Sequence, residues 1–179
     1  MAAITSFLPW EPIPLNQSGI RRLKIVNSDR VSILRPDIEL IPVADLVFYE
    51  FIFPNDLACI ASFQRRFSGS GAAYWVASVS FTLPHINNQI ISWVANNPTT
   101  EWLLIAEDYN GHVRVIGGDP TGLIMEFQST TGAGPGAQNP MVFSFSAEQI
   151  FPFVTLPEYE NEALFPDSEF DFSFDFSFT

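Results

Sequence analysis

The sequence predicts a mainly β fold: an antiparallel β-sandwich or barrel with one flanking α-helix and an extended arm at each end. Composition is the first observation, because 18 Phe residues favour strands while helix-favouring Lys is scarce among only 8 Lys and Arg residues. The second is patterning, since apolar and polar residues alternate with a period of two over many short segments. Gly, Pro, Asn and Asp separate these segments, as expected for turns between strands.

Composition divides the chain into three parts. Residues 1–19 contain Pro9, Pro12 and Pro14 among bulky apolar side chains, a pattern that resists regular structure and predicts an extended N-terminal arm. Residues 20–155 carry the strand patterns and are long enough for one β domain with its own core. Residues 156–179 predict an acidic linker followed by a Phe-rich strand, which together form a C-terminal arm.

The first half of the domain contains several strand patterns. Residues 20–33 predict one strand, or a hairpin that turns near residues 27–29, because apolar residues alternate with polar ones on both sides of that polar cluster. Dense β-branched and aromatic runs, each bounded by turn residues, predict further strands at 47–53, 57–66 and 73–83.

A single helix is predicted at residues 84–97. Pro84 occupies a first-turn position where its missing N–H is tolerated, and Asn97-Pro98 ends the segment. The apolar residues within it recur at helical spacing and form one stripe for packing on the sheet. The stripe consists of Ile86, Ile90, Trp93 and Val94.

The clearest hairpin follows the helix. Predicted strands at 101–107 and 112–116 flank Asn110 and Gly111, and Asn-Gly supplies the positive φ that a tight turn requires. Alternation then predicts strands at 123–128 and 141–146, separated by a glycine-rich loop at 130–140. The domain is therefore predicted as strands, one helix and a further meander of strands.

The last ten residues, FDFSFDFSFT, form a strictly alternating strand pattern with one aromatic face. Burying five Phe side chains contributes about 10–15 kcal/mol at most, whereas ordering ten residues costs roughly 15 kcal/mol. A ladder of backbone hydrogen bonds, each about 0.5–1.5 kcal/mol, shifts the balance towards binding. We therefore predict an assembly arm that adds a strand to a sheet, and the alternative is that the strand folds back onto its own domain. Its binding residues are Phe170, Phe172, Phe174, Phe176 and Phe178.

The charge distribution limits the partners that the chain can bind. Net charge is −12 at pH 7, and all 8 Lys and Arg lie at or before Arg114. The anionic C-terminal third argues against nucleic-acid binding, because phosphate contacts need cations. Arg21, Arg22 and Lys24 form a small basic cluster, which is more typical of a solvated face than of a nucleic-acid site. The sequence lacks a signal-peptide pattern and an apolar run of membrane length, so we expect cytoplasmic synthesis and no membrane partner.

Residues that usually catalyse reactions or bind metals are sparse. Neither His85 nor His112 has a Cys, Asp or Glu at metal-ligand spacing. Cys59 is the single cysteine, and its apolar surroundings are typical of a small buried hydrophobe. The sequence also contains no nucleophile elbow and no Cys–His pair. It therefore predicts a non-enzyme with no catalytic residue, no cofactor and no metal site.

The glycine-rich loop is a candidate subunit contact. It lacks the Lys and Ser/Thr that follow a phosphate-binding loop, and a strand comes next, so no helix N-terminus would face an anion. We predict a flexible loop between two strands that is available to a neighbouring subunit. The proposed contact residues are Gly132, Gly134, Pro135 and Gly136.

Two segments resemble a group of small virion proteins of tailed bacteriophages: EWLLIAEDYNGHVRVIGG at 101–118 and LIMEFQSTTGAGPGAQNPMVFSFS at 123–146. In that group a hairpin with a short polar turn precedes a Thr-Gly-x-x-Pro-Gly loop and a Phe-Ser-Phe-Ser-like strand. The likeness extends from Arg21 to Phe153. The strand–helix–strand order is also similar to the tail-tube fold of phage tubes, distal tail hubs and injection-system tubes, which assemble into hexameric rings.

This resemblance implies a structural protein of the virion, made in the host cytoplasm. Copies would form a hexameric ring as a tube-like or hub component of the tail, through the β domain and exchanged arms, and would contact other virion proteins. Both arms depart from the tube pattern, so a capsid or neck accessory protein is an alternative. A second alternative is a sandwich module that binds a protein or glycan through the loops at 69–73 and 130–140.

Overall fold

The computed structural model describes residues 19–34, 39–42, 47–54, 58–118, 121–131 and 139–155. A 3-10 turn at Ser28–Arg30 follows the first strand. In chain order the other elements are β1 (Ile20–Asn27), β2 (Val31–Leu34), β3 (Glu39–Pro42), β4 (Tyr49–Ile52), β5 (Cys59–Phe67), β6 (Ala73–Leu83), α1 (Asn88–Asn96), β7 (Glu101–Asp108), β8 (Val113–Ile116), β9 (Leu123–Ser129), β10 (Met141–Gln149) and β11 (Val154–Thr155).

Nine of the described strands form one antiparallel sheet. One path through it follows the order β11, β8, β7, β9, β10, β6 and β5, while β1 pairs with the other edge of β7 and with β4. Strands β2 and β3 pair with each other in a separate two-stranded sheet. The prediction of a mainly β fold with one helix is confirmed over the described residues. Apart from Gly19, both predicted arms lie outside them.

The predicted helix boundary at residue 84 is wrong. The helix begins at Asn88, because the side chain of Asn87 accepts a hydrogen bond from the Gln89 N–H at 2.8 Å and so caps the first turn. Pro84 and Ile86 therefore precede the helix. Most strands lie close to their predicted positions, and β6 has the predicted bounds, but β3 and β11 were not predicted.

The sheet divides at the start of β7. One edge of β7 pairs first with β9, at Glu101 and Trp102, and then with β8. Gly117 lies in the turn after β8 with φ of +103°, and a Cβ there would lie 2.9 Å from the carbonyl oxygen of Trp102. A Cβ on Gly122 would lie 2.7 Å from Glu101 Cβ. Glycine at both positions therefore allows the chain to leave β8 and start β9 beside the same strand.

The core on one face of the sheet is aromatic. Phe143 of β10 lies opposite Phe81 of β6 and Phe127 of β9. The rings of Phe81 and Phe143 stack with centroids 4.9 Å apart, and Phe127 tilts against Phe143 at 5.0 Å. Such cross-strand aromatic pairs stabilise a sheet beyond the area they bury. They join β9, β10 and β6 into one packed unit.

Helix α1 packs on this core through one side. Ile90, Trp93 and Val94 contact the buried cluster, as the predicted stripe requires. The Trp93 ring lies 5.0 Å from Tyr49 of β4 and 5.2 Å from Trp102 of β7. These ring contacts fix the helix beside β4.

Strand β7 is buried on both faces. Trp102 and Leu104 belong to the aromatic core, while Leu103 and Ile105 alternate with them and are also fully buried. Val115 of β8 lies opposite Ile105 and is buried as well. The continuous apolar run of β7 is typical of a strand covered on both sides.

Phe143→Ala tests the aromatic core. Because Phe143 is fully buried and contacts rings from four neighbouring elements, we expect a loss of about 3–5 kcal/mol in the free energy of unfolding. Urea denaturation would measure it. Val142→Ala on the same strand is the matched control, because its side chain is 38% exposed and a small change is expected. Equal losses for both variants would contradict this description of the core.

Candidate assembly surfaces

The residues predicted to mediate assembly lie outside the described part of the chain. This applies to the five phenylalanines of the predicted arm and to the four residues of the glycine-rich loop. Candidate surfaces are therefore sought on the sheet itself. The most distinctive is the free edge of β5.

Strand β5 is a long edge strand. Over nine residues it pairs with β6, from Cys59 opposite Phe81 to Phe67 opposite Ala73. Within the described residues its other edge pairs with no strand. An edge of this length presents a row of backbone N–H and C=O groups to which another strand can pair.

The two faces of β5 differ in chemistry. On the core side, Cys59 is buried and Phe63 is half-buried, whereas Phe67 is 65% exposed beyond the rim of the core. On the outer side, Ile60 is 59% exposed and Arg66 is also exposed. The apolar face is therefore unfinished along this edge, and the outer face carries positive charge at one end.

The two arginines near the end of β5 make contacts within their own strand. Arg66 donates from Nε and Nη2 to the side-chain oxygen of Gln64 at 3.1 and 2.8 Å. The guanidinium of Arg65 lies over the ring of Phe67, 5.3 Å from its centroid. Since a guanidinium carries five donors, Arg66 retains donors for a carboxylate on a neighbouring strand.

The other edges of the nine-stranded sheet are less suitable. Strand β4 has four residues, and its exposed Glu50 would repel an acidic partner strand. Strand β11 has two residues. By length and charge, β5 is the edge that fits an acidic strand.

The chain approaches β5 again near the end of the described residues. Phe153 packs against Phe63 with ring centroids 4.8 Å apart. Residues 154–155 then form β11 beside β8. Phe153, near the end of the described residues, thus packs on the core side of β5.

A groove lies between α1 and β4. It is open to solvent, has a volume of about 550 Å³, and is lined by aromatic rings and carboxamides, including Tyr49, Trp93, Asn88 and Asn96. The Nε1 atom of Trp93 is buried and has no hydrogen-bond partner among the described residues. Rings beside amides suit ligands that present both apolar faces and hydroxyl groups.

The basic cluster predicted as a solvated face is divided by strand geometry. Arg21 is exposed, but Arg22 points to the opposite face and is buried. There its Nε lies 3.3 Å from Glu107 Oε2, and both side chains are about nine-tenths buried. The solvated-face prediction is therefore wrong for Arg22, whose charge holds β1 against β7.

The turn between β7 and β8 is held by one carboxylate. Asp108 accepts hydrogen bonds from the backbone N–H groups of Asn110 and His112 at 2.9 and 3.0 Å, and from Arg114 Nη1 at 2.8 Å. Tyr109 in the same turn donates its hydroxyl to the carbonyl oxygen of Phe53 at 2.7 Å. The predicted tight turn is confirmed, and the Asp108 carboxylate stabilises it.

The two histidines and the single cysteine occupy different environments. His85 and His112 are exposed, and in the described ranges no three His, Cys, Asp or Glu residues cluster as a metal site. Burial raises the pKa of Cys59 to about 12, so its thiol stays protonated near neutral pH.

Comparisons of the chain with protein-family models, curated proteins and solved structures found no match. Across the residues that the structure describes, no helix combines the length and apolar character needed to cross a membrane.

Glu107→Gln tests the buried ion pair. The substitution removes the negative charge that faces the buried Arg22 guanidinium and so leaves the positive charge uncompensated. We therefore expect a loss of about 3–5 kcal/mol in unfolding free energy, measured by urea denaturation. The double variant Arg22→Met with Glu107→Leu should recover most of this loss, because no buried charge remains. Glu50→Gln on exposed β4 is the control and should have little effect. An equally small effect for Glu107→Gln would show that the pair is unimportant.

Proposed function

We propose that this chain is a non-enzymatic structural protein of a tailed-phage virion that assembles into rings through its β domain and its C-terminal arm. A tube-like or hub component of the tail is the favoured position, and a capsid or neck accessory protein is the alternative. The resemblance over residues 101–146 suggests the kind of particle. The free edge of β5 is the observation that carries the assembly role.

Long free edges expose soluble proteins to uncontrolled strand pairing, and proteins usually shorten, cover or charge them. Strand β5 combines a nine-residue edge with exposed Ile60 and Phe67. In a ring or lattice such an edge is covered by a neighbouring subunit. An assembly protein therefore has a reason to keep it.

The charge of the chain is compatible with this role. A net charge of −12 keeps separate copies soluble, and an anionic wall would not retain DNA that passes along it. Arg66, on the outer face of β5, provides a local cation to which an acidic segment of another copy can bind despite the overall repulsion.

Deleting residues 170–179 tests the assembly role. We expect the full-length protein to form closed rings visible by negative-stain electron microscopy, with the native mass of a hexamer. The deletion should leave a folded domain, seen as an unchanged circular dichroism spectrum and cooperative unfolding, but remove the rings. The matched control, Ser173→Thr with Ser177→Thr, keeps the alternation of the segment and should still assemble.

Two results would contradict the proposal in different ways. A full-length protein that stays monomeric at all concentrations would exclude a ring-forming role. Rings of normal mass from the deleted protein would exclude the arm as the assembly element while leaving the β domain as a candidate.

The groove beside α1 favours a second candidate function, the binding of a glycan. Tyr49 and Trp93 offer ring faces to the apolar side of a sugar, and Asn88, Gln89 and Asn96 offer amides to its hydroxyls. We expect saturable quenching of tryptophan fluorescence by soluble oligosaccharides, lost in Asn88→Ala with Asn96→Ala. Thr130→Ala, outside the groove, is the control. No response to a broad oligosaccharide panel would exclude this function.

A further inference from the structure

We propose that the free edge of β5 accepts residues 170–179 of a second copy of this chain as an antiparallel strand. This inference rests on the proposed assembly function and specifies the acceptor strand, its register and the source of the added strand. The observations that support it are the length of the edge, the unfinished core face of β5 and the charge of its outer face.

The lengths and alternation of the two segments fit an antiparallel register that also places an aspartate opposite Arg66. When Asp171 lies opposite Arg66 in the antiparallel direction, Phe170 lies opposite Phe67 and Phe178 lies opposite Cys59. All five phenylalanines then lie on the core side of β5. On that side, the residues at the Cys59 end of β5 are buried or half-buried, and those at the Phe67 end are exposed. The added strand would extend the apolar face of β5 from Cys59 to Phe63 and beside Phe67, with Phe172 lying opposite the exposed Arg65.

Charge supports the same register. Asp171 would meet the donors that remain on Arg66, and Asp175 would lie opposite the exposed Ser62. The parallel alternative with Asp175 opposite Arg66 extends the arm beyond Phe67 into the turn and leaves the start of β5 uncovered. Strand β4 offers Glu50 instead of a cation. The antiparallel register on β5 is therefore preferred.

The linker is long enough for a second copy to be the donor. Residues 156–169 contain five acids and no cation, and like charges extend a chain. Fully extended, they span about 45–50 Å, further than the roughly 35–38 Å diameter of a domain of this size. The linker is thus long enough to deliver the arm to a neighbouring subunit.

Disulfide trapping in the full chain tests which copy donates the added strand and in which register that strand pairs with β5. Ser62→Cys with Asp175→Cys places two thiols opposite each other in the proposed register, while the native Cys59 stays buried. Mild oxidation with copper phenanthroline should give a ladder of covalent oligomers on non-reducing gels. Ser62→Cys with Thr179→Cys is the matched control, since Thr179 lies opposite Ala58, about 13 Å along the strand, and should give no ladder.

The possible outcomes separate this inference from the proposed function. An intramolecular disulfide alone would overturn the second copy as donor. Rings that form without a Ser62–Asp175 disulfide would overturn β5 as acceptor in this register and leave the assembly function intact. A wild-type protein that forms no rings would contradict the assembly function itself.

A charge swap provides an independent test of the register. Arg66→Asp should raise the concentration needed for ring formation roughly two- to thirtyfold, since an attractive cross-strand pair becomes repulsive. Adding Asp171→Arg to the same chain should restore assembly, whereas adding Asp175→Arg should not. Rescue by Asp175→Arg alone would overturn the proposed register.

Discussion

Burial of β7 on both faces is the constraint on which the rest of the described structure depends. One face supplies Trp102 to the aromatic core, and the other holds Leu103 and Ile105 away from water. A strand covered on both sides needs partners on both edges, because every unpaired backbone group there is desolvated. Strand β1 pairs along one edge, and β8 and β9 share the other. The buried pair of Arg22 and Glu107 then links β1 to β7 by charge as well as by backbone.

Burial around β7 explains why the outer edge of β5 has no partner strand among the described residues. Hydrophobic burial is concentrated at β7 and at the stacked rings of β6 and β10, so stability does not require the outer edge of β5 to be covered. Among the described residues, the domain therefore combines a buried core with an edge of β5 that pairs with no strand.

Local patterns allowed much of the fold to be predicted. The alternation of β6 and the Asn110-Gly111 turn depend on neighbours in sequence, and both were correctly placed. The start of α1 was not, because Asn87 competed with Pro84 as a start signal. Arg22 and Glu107 gave no sequence signal of their contact, which is created by tertiary pairing. The edge position of β5 is likewise a property of the sheet, although charges inside a strand, as at Arg65 and Arg66, are a known sign of an edge.

The pairing of β1 with β7 also has a consequence for the order of folding. The hydrogen bond from Ser28 Oγ to the Glu101 carbonyl oxygen joins residues 73 positions apart, whereas β5 with β6 and β7 with β8 are local hairpins. Closing so long a loop is entropically costly and slows folding. On the ribosome β1 is made first and must wait for β7. Pairing of the two strands then buries Arg22 and Glu107 together.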